Sequence, residues 1–206
     1  MDWTTIDLLD GYTAIPAGKI ASIVTFLEMS APPPARPERD AAGLALVRLG
    51  AADVARYRRV YRVIGERWVW FSRLGIADGE LAAILDDPRV EAFALTSPAG
   101  DVGLVEIDRR VPGEAELVYF GLVESAIGAG AGRWMMNRTI AQAFAEPINR
   151  FWLHTCTLDH PGAIAFYRRS GFVPYRLAVE VTDDPRTLGL VPADIWPDLP
   201  PAAAGP

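Results

Sequence analysis

The chain has 206 residues, of which 50% are hydrophobic and 22% charged, and a length of this order fits one domain with a sizeable core. Its net charge of −6 lacks the basic excess of nucleic-acid and anionic-membrane binders, so neither partner is expected. The single cysteine excludes an internal disulfide and argues against a zinc site, and no apolar run is long enough to cross a membrane. The acidic N-terminus does not resemble a signal peptide, so a cytoplasmic protein is expected.

Residues 1–41 are predicted to form an extended N-terminal arm followed by a linker. Residues 12–29 are rich in β-branched and aromatic side chains, and four prolines within the next eleven residues indicate a stiff connection. Residues 42–182 are predicted to form the domain itself. Residues 183–206 are rich in proline and are predicted to form a mostly irregular tail.

Strand-like and helix-like segments alternate within that domain. Apolar residues recur at helical spacing in the helix that follows the first strand, and the next helix is predicted from Asp78 as its N-cap and Pro88 beyond its end. Short turns at 97–101 and Pro112-Gly113 predict an antiparallel meander of three strands. The predicted strands are 44–49, 90–96, 102–110, 114–123, 151–157 and 172–181, and the predicted helices are 51–67, 78–85, 133–145 and 161–170. We therefore expect an α+β fold with a mostly antiparallel sheet of six or seven strands flanked by about four helices.

A glycine-rich segment, Ile-Gly-Ala-Gly-Ala-Gly at 127–132, joins a strand to a helix. Glycines let backbone N–H groups approach a phosphate, and the helix N-terminus adds partial positive charge. A P-loop would need Lys where the chain has Arg133, and a dinucleotide fingerprint would need Gly there and an acidic residue near position 150. A coenzyme A site and a plain turn remain as interpretations.

Residues 115–176 resemble the GNAT superfamily of acyl-CoA-dependent N-acyltransferases. Residues 127–132 match the first motif of that superfamily, Gln/Arg-x-x-Gly-x-Gly/Ala, at both glycine positions, with Ile at the first position. Residues 163–172 match its Ala-x-x-x-Tyr-x-x-x-Gly-Phe signature. The likeness extends more loosely over 42–181, and in detail it is closest to a bacterial subgroup without a generally assigned substrate.

The resemblance implies transfer of an acetyl group from acetyl-CoA to a primary amine of a small molecule or protein, by direct attack in a ternary complex. It implies Tyr167 as the acid that protonates the departing thiolate and Glu116 as the base. The cofactor-binding residues that follow from it are Leu122, Val123, Ile127, Gly128, Ala129, Gly130, Ala131, Gly132, Arg133, His160 and Phe166. The residues placed by it on the acceptor side are Trp68, Trp70, Phe71 and Arg73. A homodimer is also considered.

The residues themselves leave the role of Glu116 open. Burial on an apolar strand would raise its pKa toward neutrality, whereas Arg109, if the turn at Pro112-Gly113 places it opposite, would lower that pKa. Glu106 on the neighbouring predicted strand is an alternative base. The two histidines lack a carboxylate cluster and do not suggest a metal site. Two other functions remain open: a non-catalytic acyl-CoA-binding protein, and a structural protein whose glycine loop is only a turn.

Overall fold

A computed structural model of the chain describes residues 10–38, 43–196 and 199. Seven strands and four α-helices lie in this part of the chain, which confirms the predicted α+β class and element count. In chain order they are β1 (Lys19–Met29), β2 (Ala45–Leu49), α1 (Val54–Gly65), α2 (Asp78–Asp86), β3 (Val90–Ser97), β4 (Gly100–Asp108), β5 (Glu114–Leu122), α3 (Ala131–Ala143), β6 (Arg150–Cys156), α4 (Ala163–Arg169) and β7 (Val173–Asp183). No helix of this part is long and apolar enough to cross a bilayer.

The strands form one sheet in the order β2-β3-β4-β5-β6-β1-β7. Neighbouring strands are antiparallel except β5 and β6, which are parallel. The predicted meander is present as β3, β4 and β5. Its second turn requires glycine, because Gly113 has φ +77° and a Cβ there would lie 2.7 Å from Asn149 Nδ2.

Part of the predicted arm belongs to the sheet, which corrects its placement outside the domain. Strand β1 lies between β6 and β7, and Val24 faces Cys156 on one side and Ala178 on the other. The physical reason is burial, because side chains of this strand such as Phe26 and Leu27 are at most 3% exposed. Residues 1–9 and 39–41 of the predicted arm, residue 42 of the predicted domain, and the predicted tail beyond 196 except residue 199 lie outside the described residues.

Two hydrophobic clusters cover the two faces of the sheet. One packs α3 and α4 against the sheet, around Met135, Met136 and Phe151. The other packs α1 and α2 against the opposite face, around Tyr57, Tyr61 and Leu81. Each fully buried side chain of this size contributes about 1.5–3 kcal/mol, so both helical layers are held firmly against the sheet.

Candidate active site

The parallel strands β5 and β6 separate soon after they pair. Their pairing covers only Glu114–Glu116 and Arg150–Trp152. A cavity of about 260 Å³ opens beyond it, bounded by residues 117–122 of β5 and 154–156 of β6. Both α1 and α4 contribute lining residues, and these helices lie on opposite faces of the sheet. The cavity therefore connects the two faces through the gap between the strands.

Aromatic side chains of the loop after α1 form one wall of the cavity. Trp68, Trp70 and Phe71, all predicted on the acceptor side, line it. The Trp70 indole packs against Tyr119 with ring centroids 5.0 Å apart. Between the two tryptophans, Val69 has φ +63°, a conformation that a β-branched residue rarely adopts. The backbone of this loop is therefore strained where it faces the cavity.

Arg73, also predicted on the acceptor side, does not line the cavity. Its guanidinium Nη2 lies 2.6 Å from Glu106 Oε1, and the Tyr57 hydroxyl donates to the other oxygen of that carboxylate. Glu106 is fully buried, and the Arg73 side chain is 14% exposed. The ion pair therefore anchors the aromatic loop to β4. It also engages the carboxylate of Glu106, the residue predicted as an alternative base, so that this carboxylate is not free to accept a proton from substrate.

The glycine loop forms the start of α3 as predicted. Gly128 and Gly130 have φ of +86° and +100°, which side-chain-bearing residues rarely adopt. Gly130 precedes the helix without a side-chain cap, and its carbonyl accepts the first helical hydrogen bond from Trp134 N at 3.1 Å. The amides of the first turn, from Ala131 to Arg133, have no partner within the helix and are available to an anion.

Two further arginines act by charge on Arg133 at this helix start, and sequence reasoning found neither of them. Arg36 Nη1 donates to the carbonyl of Arg169 at 2.7 Å. Burial lowers the pKa of Arg133, and the charges of Arg36 and Arg169 lower it further. Like charges held together in this way are stabilised by an anion. Arg169 could have been found from its place beside the signature tyrosine, whereas Arg36 lies in the proline-rich linker and carries no local signal.

The other predicted cofactor residues differ in their placement. Leu122 and Ile127 line the cavity. Phe166 stacks on Phe120 with ring centroids 5.6 Å apart, and a Cβ on Gly132 would touch it at 3.6 Å. Val123 needs a correction, because its N–H donates to Val102 and its carbonyl accepts from Ala126, both at 2.9 Å. A backbone pairing with cofactor at Val123 therefore has no free amide to use.

Tyr167 and His160 enter the cavity from the α4 side. His160 Nδ1 accepts from Gly162 N at 2.9 Å, so the imidazole caps the start of α4. Burial raises the pKa of Tyr167 above its usual range, so the phenol stays protonated at neutral pH. Its hydroxyl makes no hydrogen bond to any residue that the structure describes. The Tyr167 hydroxyl can therefore donate a hydrogen bond to a molecule bound in the cavity.

Glu116 lies behind the cavity rather than on its wall. Its Oε1 is 3.7 Å from Nδ1 of His154, which does line the cavity. Burial, and then the Asp108 and Glu106 carboxylates, raise the pKa of Glu116 to about 7. Asp108, not Arg109, is the residue opposite Glu116, so the alternative of a lowered pKa is wrong. Burial also lowers the pKa of His154, which leaves its imidazole neutral at pH 7.

Arg109 is absent from the site because the loop from β4 to β5 holds five residues, which shifts the pairing by one position. Its guanidinium instead donates hydrogen bonds to Glu91 at 3.1 Å and to the last carbonyls of α3.

Cys156 lines the cavity, but burial raises the pKa of its thiol, so it is not a thiolate.

Comparison with known proteins agrees with this architecture. Residues 56–172, more than half of the chain, match the family model described as the acetyltransferase (GNAT) family. No curated protein matches.

Solved structures share the fold at low sequence identity. A functionally unknown conserved protein from Staphylococcus epidermidis aligns with TM-score 0.61 and 16% identity over 81% of this chain, which spans only 64% of that protein. An aminoglycoside acetyltransferase from an uncultured soil metagenomic sample, solved with sisomicin, aligns with TM-score 0.51 and 16% identity over 62% of this chain and 87% of its own. The ribosomal-protein-S18-alanine N-acetyltransferase of Escherichia coli aligns with TM-score 0.53 and 16% identity over 67% and 90%. With the family match added to this shared fold, the chain belongs to the GNAT acetyltransferase family.

Proposed function

We propose that this protein transfers an acetyl group from acetyl-CoA to a primary amine of a small molecule or a protein, by direct attack within a ternary complex. The observation that carries the proposal is the cavity between β5 and β6, which connects the two faces of the sheet. Two reactants that enter from opposite faces meet in the gap with their reacting groups adjacent, and such proximity removes much of the entropic barrier. Cys156 is a buried thiol of raised pKa, which favours direct transfer over an acylated enzyme.

The residues at the start of α3 fit the phosphates of coenzyme A. Uncapped first-turn amides follow Gly130, and the charges of Arg36 and Arg169 act on Arg133 at the same helix end. An anion there would bind the amides and relieve repulsion among the guanidinium groups. When bound, acetyl-CoA supplies a thioester whose carbonyl carbon the amine nitrogen attacks as the carbon–sulfur bond breaks.

The opposite side of the cavity suits a cationic acceptor. Its wall holds Trp68, Trp70 and Phe71, and Asp159 and Glu180 also line the cavity. Among the described residues, no Lys or Arg side chain lines the cavity. Aromatic faces and carboxylates attract an alkylammonium group, and the absence of basic lining residues avoids repelling it. The acceptor class is thus an amine that arrives protonated.

The amine must lose a proton before it can attack, because an alkylammonium group has a pKa near 10.4. His154 is neutral, lines the cavity and can accept that proton. Glu116, whose Oε1 lies 3.7 Å from His154 Nδ1, stabilises the imidazolium by its negative charge when it is ionised. The predicted base therefore acts through His154 in this proposal rather than by contact with the substrate.

Tyr167 serves the leaving sulfur. Its hydroxyl points to the cavity without a described partner, and it remains protonated because burial raises its pKa. The raised pKa makes full proton transfer to a thiolate unfavourable, so the first role of the phenol is to donate a hydrogen bond to the developing negative charge. The thiolate then takes its proton from water.

The test combines binding with turnover. Calorimetric titration of acetyl-CoA into the wild type should show micromolar binding that disappears in Gly130→Glu, which places a negative charge at the proposed phosphate site. Gly79→Glu, at an open position on α2, is the matched control and should bind normally. Chromatographic detection of coenzyme A release across a panel of amines should show turnover that Tyr167→Phe reduces while binding is kept.

Each other outcome has a definite meaning. Binding without turnover on any amine would favour the non-catalytic acyl-CoA-binding protein. No binding by folded wild type would refute the acyltransferase function. Binding that survives Gly130→Glu would refute the assignment of the glycine loop.

A further inference from the structure

The chain after β7 lies against the aromatic loop of the cavity. We call residues 184–196 the post-β7 segment, and the aromatic loop comprises residues 66–77 between α1 and α2. Asp184 and Arg186 anchor the start of the segment, since their side chains are at most 4% exposed and form an ion pair at 2.6 Å. Val191, further along, is also buried. Irregular segments are usually exposed, so burial of these side chains indicates that this one has a fixed position.

Two contacts join the post-β7 segment to the aromatic loop. Leu190 packs beside Gly75, where a Cβ on the glycine would lie 3.3 Å from Leu190 Cδ1. The indole Nε1 of Trp196 donates a hydrogen bond to the carbonyl of Arg67 at 3.1 Å. This carbonyl lies in the short helical turn that follows α1, and the last carbonyls of a helical stretch have no partner within it. Trp196 therefore caps the start of the aromatic loop.

Arg186 holds the Trp196 ring in place. Its guanidinium carbon Cζ lies 5.1 Å from the centroid of that ring, a distance suited to a cation–π contact. The same guanidinium donates to both carboxylate oxygens of Asp184 and to the carbonyl of Leu199. The ring is thus held between a buried ion pair on one side and the aromatic loop on the other.

The hydrogen bond from Trp196 reaches the loop two residues before its strained position. Val69 has φ +63°, and a β-branched residue keeps such a conformation only where the surrounding structure fixes it. Trp68 and Trp70, on either side of Val69, line the cavity. Contacts that fix the backbone here therefore also fix two side chains of the acceptor wall.

We propose that Trp196, held by Arg186, is a positioning residue for the amine acceptor. It stabilises the loop conformation in which the aromatic wall forms, and neither residue lines the cavity itself. The proposal rests on the proposed acetyl transfer for its substrate. The contacts that carry it do not depend on any reaction.

Loss of the Trp196 hydrogen bond should weaken binding of the amine without slowing the chemical step. One net hydrogen bond corresponds to about a fivefold change in an equilibrium constant, and apparent affinity falls with the fraction of molecules in the competent conformation, so the KM for the amine should rise about fivefold. The value of kcat should change by less than about twofold, because His154 and Tyr167 lie on β6 and α4, outside the loop. The KM for acetyl-CoA should stay the same, because the start of α3 also lies outside the loop.

Steady-state kinetics with the panel amine of highest turnover test this effect. Trp196→Phe keeps an aromatic ring beside Arg186 but removes the N–H donor, and it should raise the KM for the amine. Trp196→Ala should raise it further. Leu188→Ala is the matched control, because Leu188 belongs to the same segment but is 55% exposed, and it should behave as the wild type. A fall in kcat with an unchanged KM for the amine, or an equal effect of the control, would overturn the proposal.

Hydrogen exchange of the free protein separates this proposal from the proposed function. Measured by mass spectrometry without substrate, residues 66–74 should exchange faster in both Trp196 variants than in the wild type, whereas residues 127–132 should not change. Circular dichroism must show that the variants are folded. A wild type that turns over no amine would refute the proposed function, and the exchange result alone would then decide whether Trp196 holds the loop. Unchanged exchange at 66–74 would overturn the positioning role even in an active enzyme.

Discussion

Replacing Glu116 by Gln should stabilise the fold at neutral pH while lowering activity. The pKa of Glu116 is about 7 in the folded protein against an ordinary value of 4.5, a difference of 2.5. At about 1.4 kcal/mol for each pKa unit, the folded state loses about 3 kcal/mol relative to the unfolded state once the pH exceeds 7. Below about pH 4.5 the carboxyl is protonated in both states and costs nothing. The stabilisation by Gln should therefore grow between about pH 4.5 and 7.

Urea denaturation of both proteins at several pH values between about 5 and 8 checks this expectation. The difference in free energy of unfolding should rise from about 1 kcal/mol at pH 5 to about 3 kcal/mol at pH 8. Glu114→Gln is the matched control, because Glu114 lies on the same strand but is paired with Arg150 at 2.9 Å, so its removal should not stabilise. A pH-independent difference, or a loss of stability at pH 8, would show that the Glu116 carboxylate is not disfavoured by its surroundings.

Other predictions follow from packing and charge. Gly121→Ala should cost about 1–3 kcal/mol and shift the fluorescence of Trp70, because the new Cβ would lie 2.9 Å from that indole; an unchanged thermal midpoint and spectrum would contradict the packing. Arg73→Met should cost about 3–5 kcal/mol in urea denaturation by leaving Glu106 buried without its partner, and adding Glu106→Gln should recover part of that loss; no recovery would argue against the ion pair. Arg133→Ala should weaken acetyl-CoA binding more at low salt than at high salt in calorimetry, and a salt-independent effect would mean that the guanidinium does not act through charge.

Much of the site could be predicted because its signals are local. Glycines at 128 and 130 indicate a loop that requires positive φ, and α3 begins directly after Gly130. Trp68, Trp70 and Phe71 were placed near the acceptor from the resemblance, and they line the cavity. Arg73 was misplaced because its partner, Glu106, is a buried carboxylate 33 residues away. The sequence does not indicate whether an arginine beside several aromatic residues lines a cavity or pairs with a buried carboxylate.

The fold was predicted where neighbouring strands are consecutive in sequence. The meander of β3, β4 and β5 depends on short turns, which have recognisable residues. The position of β1 in the sheet depends on its pairing with two strands that lie more than 120 residues later in the chain. No local sequence pattern predicts such pairing. The register opposite Glu116 failed for a smaller reason, since a shift of the strand pairing by one position exchanges Arg109 for Asp108.

The position of β1 also bears on how the chain folds. This strand is made early, but both of its partners, β6 and β7, come from the last third of the described chain. During synthesis β1 therefore stays unpaired, with its apolar side chains exposed, until β6 and β7 have been made. Strands β2 to β5 can pair with one another before that. Closing so long a loop is slow, and the docking of β1 is a natural late step in folding. Deletions or fusions at this strand would thus affect the assembly of the whole far side of the sheet, not only the strand itself.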